Sequence, residues 1–252
     1  MDSVSLIDPA TLALMAGVLL LAGTVKGVVG LGLPTVTLAL LTATIGLEAA
    51  VAIMLLPSLV TNLWQALAGD GFAVLLRRLW PFLAALAAGT VLASAAPTLI
   101  AIPILTMVLG LSIAAYGALG LATPPWSVPP RWERPLSPPM GLATGILTGM
   151  TGSFVIPAVP YLQALGLPRD RLVQAMGMTF LVATVSLGVG LGGHGLLPGS
   201  LALLSAVAVL PALLGMEMGR RLRGRLSERR FRQALFTALL LLGLWILVKP
   251  WI

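Results

Sequence analysis

Long apolar blocks follow one another along the chain, and the short segments between them hold nearly all of the charged residues. Proline, glycine and charge divide this pattern into two long apolar stretches, over 9–45 and 140–166. A helix needs about 20 residues to cross a hydrocarbon core of roughly 30 Å, so the shorter blocks that follow each stretch fit single crossings. These predicted spans cover 48–68, 79–96, 100–122, 172–191, 200–218 and 231–248.

Composition places these blocks in a membrane. Of the 252 residues 58% are hydrophobic and 9% are charged, and the mean hydropathy is +1.04, which predicts an all-α polytopic transmembrane bundle. The net charge of +7 does not indicate nucleic-acid binding, because the basic residues lie between spans and set the membrane topology. Without cysteine the chain has no disulfide, iron–sulfur or thiolate metal site, and we expect no cofactor and no metal.

The second half of the chain repeats the first half: one long broken stretch followed by three spans. Glycines in the two long stretches match at one constant offset, and small residues four apart recur in corresponding spans. Chance matching in a glycine-rich chain is the alternative, but the shared order and register argue against it. The matched positions are Gly23, Gly27 and Gly30 with Gly145, Gly149 and Gly152, and Gly89 and Ala93 with Gly215 and Gly219.

Arginine sets the predicted orientation. The segment RRLRGRLSERRFR, 220–232, contains seven arginines and is cytoplasmic if positive residues stay inside. The other basic loops also fall inside only if the first long stretch begins and ends outside and the second begins and ends inside. Each stretch is then a broken or re-entrant hairpin, and the two repeats are inverted, with both chain termini outside. In secondary transporters of this architecture the substrate site lies where the irregular tips meet near the midplane.

The domain prediction follows from the repeat. A first transmembrane repeat covers 1–122, a proline-rich cytoplasmic linker covers 123–139, and a second, inverted repeat covers 140–252. All three belong to a single integral membrane domain.

Lys26 is the one charged residue inside a long stretch, in GTVKGVVGLGLP at the first glycine-rich break. A lysine at that depth costs about 2.5–3.5 kcal/mol on insertion scales unless it faces a polar cavity or a partner. The acidic residues all fall in or beside loops, which favours an anionic substrate as the partner. The alternative is a shallow hairpin whose lysine snorkels to the outer surface. The acidic residues are Asp2, Asp8, Glu48, Asp70, Glu133, Asp170, Glu217 and Glu228.

Residues at the two breaks extend the predicted substrate site. Gly27, Gly30 and Gly32 would let backbone amides face a bound anion, and helices that begin after each break would add their positive dipole ends. Hydroxyl groups replace a second cation at the other break, TGMTGS. The candidates there are Thr148, Thr151, Gly152 and Ser153.

Polar residues in the first single span form one helical face. Thr61, Asn62 and Gln65 share this face by their three- and four-residue spacing. Amides at that depth need hydrogen-bond partners, so they either line a substrate path or join helices structurally. The corresponding span, 172–191, carries a thinner polar set, with Thr179 as the candidate. No nucleotide-binding motif and no catalytic or metal-ligand set occurs at depth, so the sequence predicts that the protein is not an enzyme.

Four segments occur in a characteristic order: GTVKGVVGLGLPTVTLALL, PSLVTNLWQAL, GLPRDRLVQAMGMTFL and LLGMEMGRRLRGRLSERRFRQALFTALLLLGLWIL. With them, the whole chain resembles the sulfite exporter TauE/SafE family of membrane transporters. The resemblance implies export of a small anion, such as sulfite or a sulfonate, across a bacterial inner membrane, with a proton as the candidate coupling ion. An anion channel, or a structural or lipid-interacting membrane protein, is the alternative function. Oligomeric state is left open.

Overall fold

The computed structural model describes residues 8–122, 126–225 and 227–249, and every regular element in these ranges is an α-helix. Residues 1–7 and 250–252, which hold the two termini expected outside, lie beyond the described residues, as does the start of the expected linker, 123–125. The helices are α1 Pro9–Val29, α2 Leu33–Ile45, α3 Leu47–Leu67, α4 Phe72–Ala93, α5 Ala96–Leu99, α6 Ile102–Ala122, α7 Pro130–Thr151, α8 Ala158–Ala164, α9 Arg169–Gly193, α10 Gly199–Val207, α11 Val209–Leu222 and α12 Glu228–Val248.

Seven segments of the described chain are helical, apolar and long enough to cross a membrane. Six of them overlap the six predicted single spans, and the seventh is α1. Two of the spans consist of consecutive helices, α4 with α5 and α10 with α11. The chain is therefore an all-α, multi-pass membrane protein, which confirms the predicted fold class.

The first long stretch breaks only after a helix that is long enough to cross a membrane. α1 has 21 residues, about 30 Å of helix, whereas α2 has 13 residues. α1 ends at Gly30, whose φ of 84° is left-handed and whose amide donates to the Lys26 carbonyl at 2.8 Å. The expectation that this break reaches only the bilayer centre is wrong, because the glycines that precede Gly30 remain helical.

The segment expected to be a proline-rich linker is helical from Pro130 onward and forms the first part of α7. Pro130 occupies the first helical turn, where a missing N–H removes no intrahelical bond. Contacts from other elements hold this turn. Arg78 of α4 donates two hydrogen bonds to the Glu133 carboxylate, at 2.6 and 2.8 Å, and the Tyr161 hydroxyl of α8 donates to the Glu133 carbonyl at 3.1 Å. Tertiary contacts therefore override the local preference of the prolines.

Each long helix of one half packs against a helix of the other half. α1 packs along α11, α7 along α4, α3 along α9 and α6 along α12. Glycines form the first two contacts, since a methyl group at Gly23 or Gly27 would collide with the backbone of α11, and one at Gly145 or Gly149 with the backbone of α4. Helix backbones approach this closely in lipid only where the side chains are small. The glycines that match between the two long stretches therefore serve close helix packing.

Basic residues gather at one end of the bundle, which we call the arginine-rich end. Arg78 joins the start of α4 to the start of α7, and Arg171 at the start of α9 packs against Gly71 in the turn after α3. Arg223, after α11, donates to the Val28 carbonyl near the end of α1 at 2.7 Å. The last turn of α1 and the first turn of α7 thus lie at the same end of the bundle. The two long stretches therefore enter the bundle from opposite ends.

Candidate functional site

Lys26 lies in the last turns of α1 and its side chain points into the protein. The side chain is 3% exposed, and its Nζ donates to Thr61 Oγ1 at 3.1 Å and to Asn62 Oδ1. Both partners lie on α3 and are fully buried. The sequence-based expectation that Lys26, Thr61 and Asn62 belong to one site therefore agrees with the geometry. The snorkelling alternative does not, because Lys26 is enclosed at the end of α1 that is remote from Pro9.

A third helix, α9, completes this cluster. Asn62 Nδ2 donates to Thr184 Oγ1 of α9 at 3.5 Å, and the Thr184 hydroxyl itself donates to the Phe180 carbonyl at 2.6 Å. We call Lys26, Thr61, Asn62 and Thr184 the Lys26 cluster. Spacing along the sequence did not select Thr184, because its role depends on how α9 crosses α3.

The Lys26 cluster holds a cation without a carboxylate. Glu133 pairs with Arg78, and Glu217 pairs with Arg220 and Arg221, all outside the cluster. An ammonium has three N–H donors, and two of those of Lys26 have protein acceptors, both neutral. A buried charge with only neutral partners is costly, so the site favours an added negative group.

Gln65 fixes the first break to the rest of the bundle. Its Nε2 donates to the Gly30 carbonyl and to the Val173 carbonyl of α9, both at 2.8 Å. These bonds match the structural reading that the sequence left open, in which the amide joins helices. Gly32 then starts α2 with a φ of 109°, and α2 has no side-chain cap on its first amides.

Gly27 has a different environment from the one predicted. It lies inside α1, where helical hydrogen bonding engages the backbone amides, and it faces α11. The expectation that its amide turns toward a bound anion is wrong, since its lack of a side chain serves helix packing. The amides after the break, at the start of α2, are the ones that the helix leaves without intrahelical acceptors.

The hydroxyl groups at the second break form hydrogen bonds to neighbouring residues of the same segment. The Thr148 hydroxyl donates to the Thr144 carbonyl at 2.7 Å, and the Thr151 hydroxyl accepts the Ser153 amide at 3.2 Å. Gly152, with a φ of 74°, packs against Val51 and Met54 of α3. These contacts shape the turn between α7 and α8. Elsewhere, the Thr179 hydroxyl on α9 is buried and has no hydrogen-bond partner within the described ranges.

The two breaks lie at different levels of the bundle. The first contacts α3 at Gln65, whereas the second contacts α3 at Val51 and Met54. Gln65 lies eleven residues beyond Met54, which corresponds to about 16 Å along the helix. The expectation that the two tips meet at the midplane is therefore wrong, because α1 continues for a full helix length before it breaks.

The second break borders a cavity of about 490 Å³ at the end opposite to the arginine-rich end. Its walls include Thr151 and Gly152, together with Glu48 at the start of α3 and Ser200 at the start of α10. At roughly 30 Å³ per water, this volume accommodates a small hydrated anion. The lining comes from helix ends far apart in the sequence, so spacing could not have predicted the cavity.

Comparison with known proteins gave one finding. A family model described as Sulfite exporter TauE/SafE matches residues 15–246. No curated protein and no solved structure matches the chain.

Proposed function

The chain belongs to the sulfite exporter TauE/SafE family of membrane transporters, and on that premise we propose that it exports a small sulfur-containing anion, sulfite or a sulfonate. The observation that carries this proposal is the Lys26 cluster, a buried cation whose protein partners are neutral. The family supplies the class of protein, and the cluster supplies the charge that an anion would bind.

In this proposal the anion binds beside Lys26 and accepts a hydrogen bond from the one N–H of Nζ that has no protein acceptor. Charge-assisted hydrogen bonds contribute about 1.5–3 kcal/mol each, about twice as much as neutral ones. The uncapped first turn of α2, which starts at Leu33, adds backbone amides and a positive helix end at the same break. A pyramidal oxyanion such as sulfite has acceptors for several such donors at once.

We further propose that the two repeats are inverted and that their broken stretches alternate in closing the two ends. The hydrogen bond from Arg223 to the Val28 carbonyl closes the arginine-rich end over the Lys26 cluster. The second break borders the cavity at the opposite end. Positive residues stay in the cytoplasm, so we assign the arginine-rich end to the cytoplasmic face of a bacterial inner membrane and both termini to the outside.

The arrangement of helices supports rocking of the halves. Glycine-lined contacts join α1 to α11 and α7 to α4, so each broken stretch packs on a helix of the other half. A contact lined by small residues lets one half tilt against the other, so that the site opens to one end and then to the other. A weak acid could carry the coupling proton itself, since no carboxylate belongs to the Lys26 cluster.

Transport by Lys26→Met in proteoliposomes tests the proposal. We expect the rate at low sulfite concentration to fall about 10- to 100-fold, the equivalent of one charge-assisted hydrogen bond. Lys249→Met is the matched control, because this second lysine donates to the Ala43 carbonyl at the opposite end and its loss should leave transport unchanged. Normal sulfite and sulfonate transport by Lys26→Met would contradict the proposal.

The same vesicles separate a transporter from a channel. A secondary transporter accumulates its anion against a concentration gradient when a second gradient drives it. A channel only lets the anion equilibrate with the membrane potential. Accumulation that follows an imposed pH gradient is the result we expect, and uptake that never exceeds electrochemical equilibrium would favour the channel.

A further inference from the structure

A second cavity, of about 320 Å³, lies at the arginine-rich end between α6, α8 and α12. No residue of the Lys26 cluster lines it. Its wall combines a cation, aromatic rings and polar side chains, a different surface from the mostly aliphatic walls of the cavity at the other end. The lining includes Tyr116, Trp126, Gln163, Arg232 and Phe236.

The positive charge in this wall comes from Arg232. The Arg232 guanidinium carbon lies 5.6 Å from the centre of the Phe236 ring, and within the described ranges no carboxylate pairs with Arg232. An aromatic face attracts a cation but leaves its N–H groups without acceptors. None of the described residues that line the cavity is acidic, so the guanidinium can bind an anion there.

A buried polar atom lies in the same wall. Tyr116 is 3% exposed, its ring packs edge-on against Phe236 at 5.2 Å, and its hydroxyl has no hydrogen-bond partner in the part of the chain that the structure describes. Buried hydroxyl groups rarely lack a partner in folded proteins. Gln163 adds an exposed amide at the mouth of the cavity. An oxyanion that binds Arg232 would bring acceptor oxygens to this wall.

The cavity lies near one end of two candidate membrane spans, α6 and α12. Arg232 lies four residues, about 6 Å, inside the start of α12, and Tyr116 lies six residues, about 9 Å, before the end of α6. Trp126 is 60% exposed beside the opening, and tryptophan is enriched at membrane interfaces. Basic pockets between helices on the cytoplasmic side are suited to anionic lipid headgroups.

We propose that this cavity binds the phosphate of an anionic phospholipid, with Arg232 as the charged contact. The cavity volume corresponds to roughly ten waters at about 30 Å³ each, enough for a phosphate and a glycerol. Because Gln163 and Ala164 belong to α8, the headgroup joins the second broken stretch to α6 and α12. Free phosphate shares this chemistry, and the position at the membrane surface favours the lipid.

Binding of short-chain phosphatidylglycerol to the purified full-length protein in neutral detergent tests the proposal. Arg232→Gln removes the charge, and Gln163→Trp fills the cavity while it keeps the charge. We expect each to weaken binding about tenfold or more, the equivalent of one charge-assisted hydrogen bond. Arg230→Gln is the matched control, since Arg230 is exposed in the same basic segment and does not line the cavity. Loss of a general surface charge should weaken binding no more than about fivefold.

Each possible result either supports or overturns lipid binding in this cavity. Stronger binding of phosphatidylglycerol than of phosphatidylcholine, with losses in both cavity variants and little change in Arg230→Gln, supports the proposal. Equal losses in Arg232→Gln and Arg230→Gln would overturn it in favour of diffuse attraction to the basic segment. Saturable binding of glycerol 3-phosphate with the affinity of the lipid would overturn the lipid assignment. If Arg232→Gln does not fold, undiminished lipid binding by Gln163→Trp would overturn the proposal on its own.

Discussion

Replacement of Asn62 by aspartate gives the protein's buried lysine the counter-ion that it lacks. Asn62 Oδ1 already accepts a hydrogen bond from Lys26 Nζ, so a carboxylate at this position keeps that contact and adds one negative charge, while the long bond that Asn62 Nδ2 donates to Thr184 is lost. We expect Asn62→Asp to fold at least as stably as the parent protein. The same change should remove anion binding, because the new carboxylate occupies Lys26 and repels a second anion.

The size of the effect follows from Coulomb's law. Two negative charges about 5–6 Å apart at an effective dielectric constant of about 20 repel by roughly 3 kcal/mol, which corresponds to about 100-fold weaker binding. The assay compares the sulfite concentration for half-maximal transport and the Tm of the two proteins. Asn62→Leu serves as a second variant, because it removes one of the lysine's two acceptors without adding charge. Unchanged half-saturation in Asn62→Asp would refute the reasoning that Lys26 binds the substrate through its charge.

Three further outcomes are expected. Gly27→Leu should separate α1 from α11 and lower the Tm, whereas Gly17→Leu, on the same helix with open space around it, should leave the Tm within about 2 °C in a thermal melt. Thr184→Val removes one long hydrogen bond to Asn62, 3.5 Å, and should reduce transport only a few-fold. Single cysteines at the exposed positions Ser200 and Ser227, in a chain without cysteine, should react with an impermeant thiol reagent from opposite faces of the membrane, and reaction from one face would contradict the orientation.

The single spans and the grouping of Lys26 with Thr61 and Asn62 could be predicted because their causes are local. Twenty apolar residues in a row have few alternatives to a membrane helix. Thr61 and Asn62 are adjacent on one helix, and a lysine at depth needs polar neighbours, so the residue types already indicated a shared site. The matched glycines were informative for the same reason, since their spacing directly describes a helix face.

The remaining features depend on contacts between distant parts of the chain. Pro130 begins a helix because Arg78 and Tyr161 hold its first turns, and neither contact is visible in the spacing of prolines. Thr184 joins the cluster through the crossing of α9 over α3. The glycines predict a first break near the midplane because glycine marks where a helix can end. Packing against α11 instead keeps α1 helical through Gly23 and Gly27.

Equilibrium binding of labelled sulfite to the purified protein tests most directly whether Lys26 is the anion site. The parent protein and Lys249→Met should each bind one anion per chain with similar affinity, and binding should weaken about 10- to 100-fold in Lys26→Met. The melting temperature of each variant shows whether it remains folded. Binding of sulfite by folded Lys26→Met with the affinity of the parent protein would contradict the account.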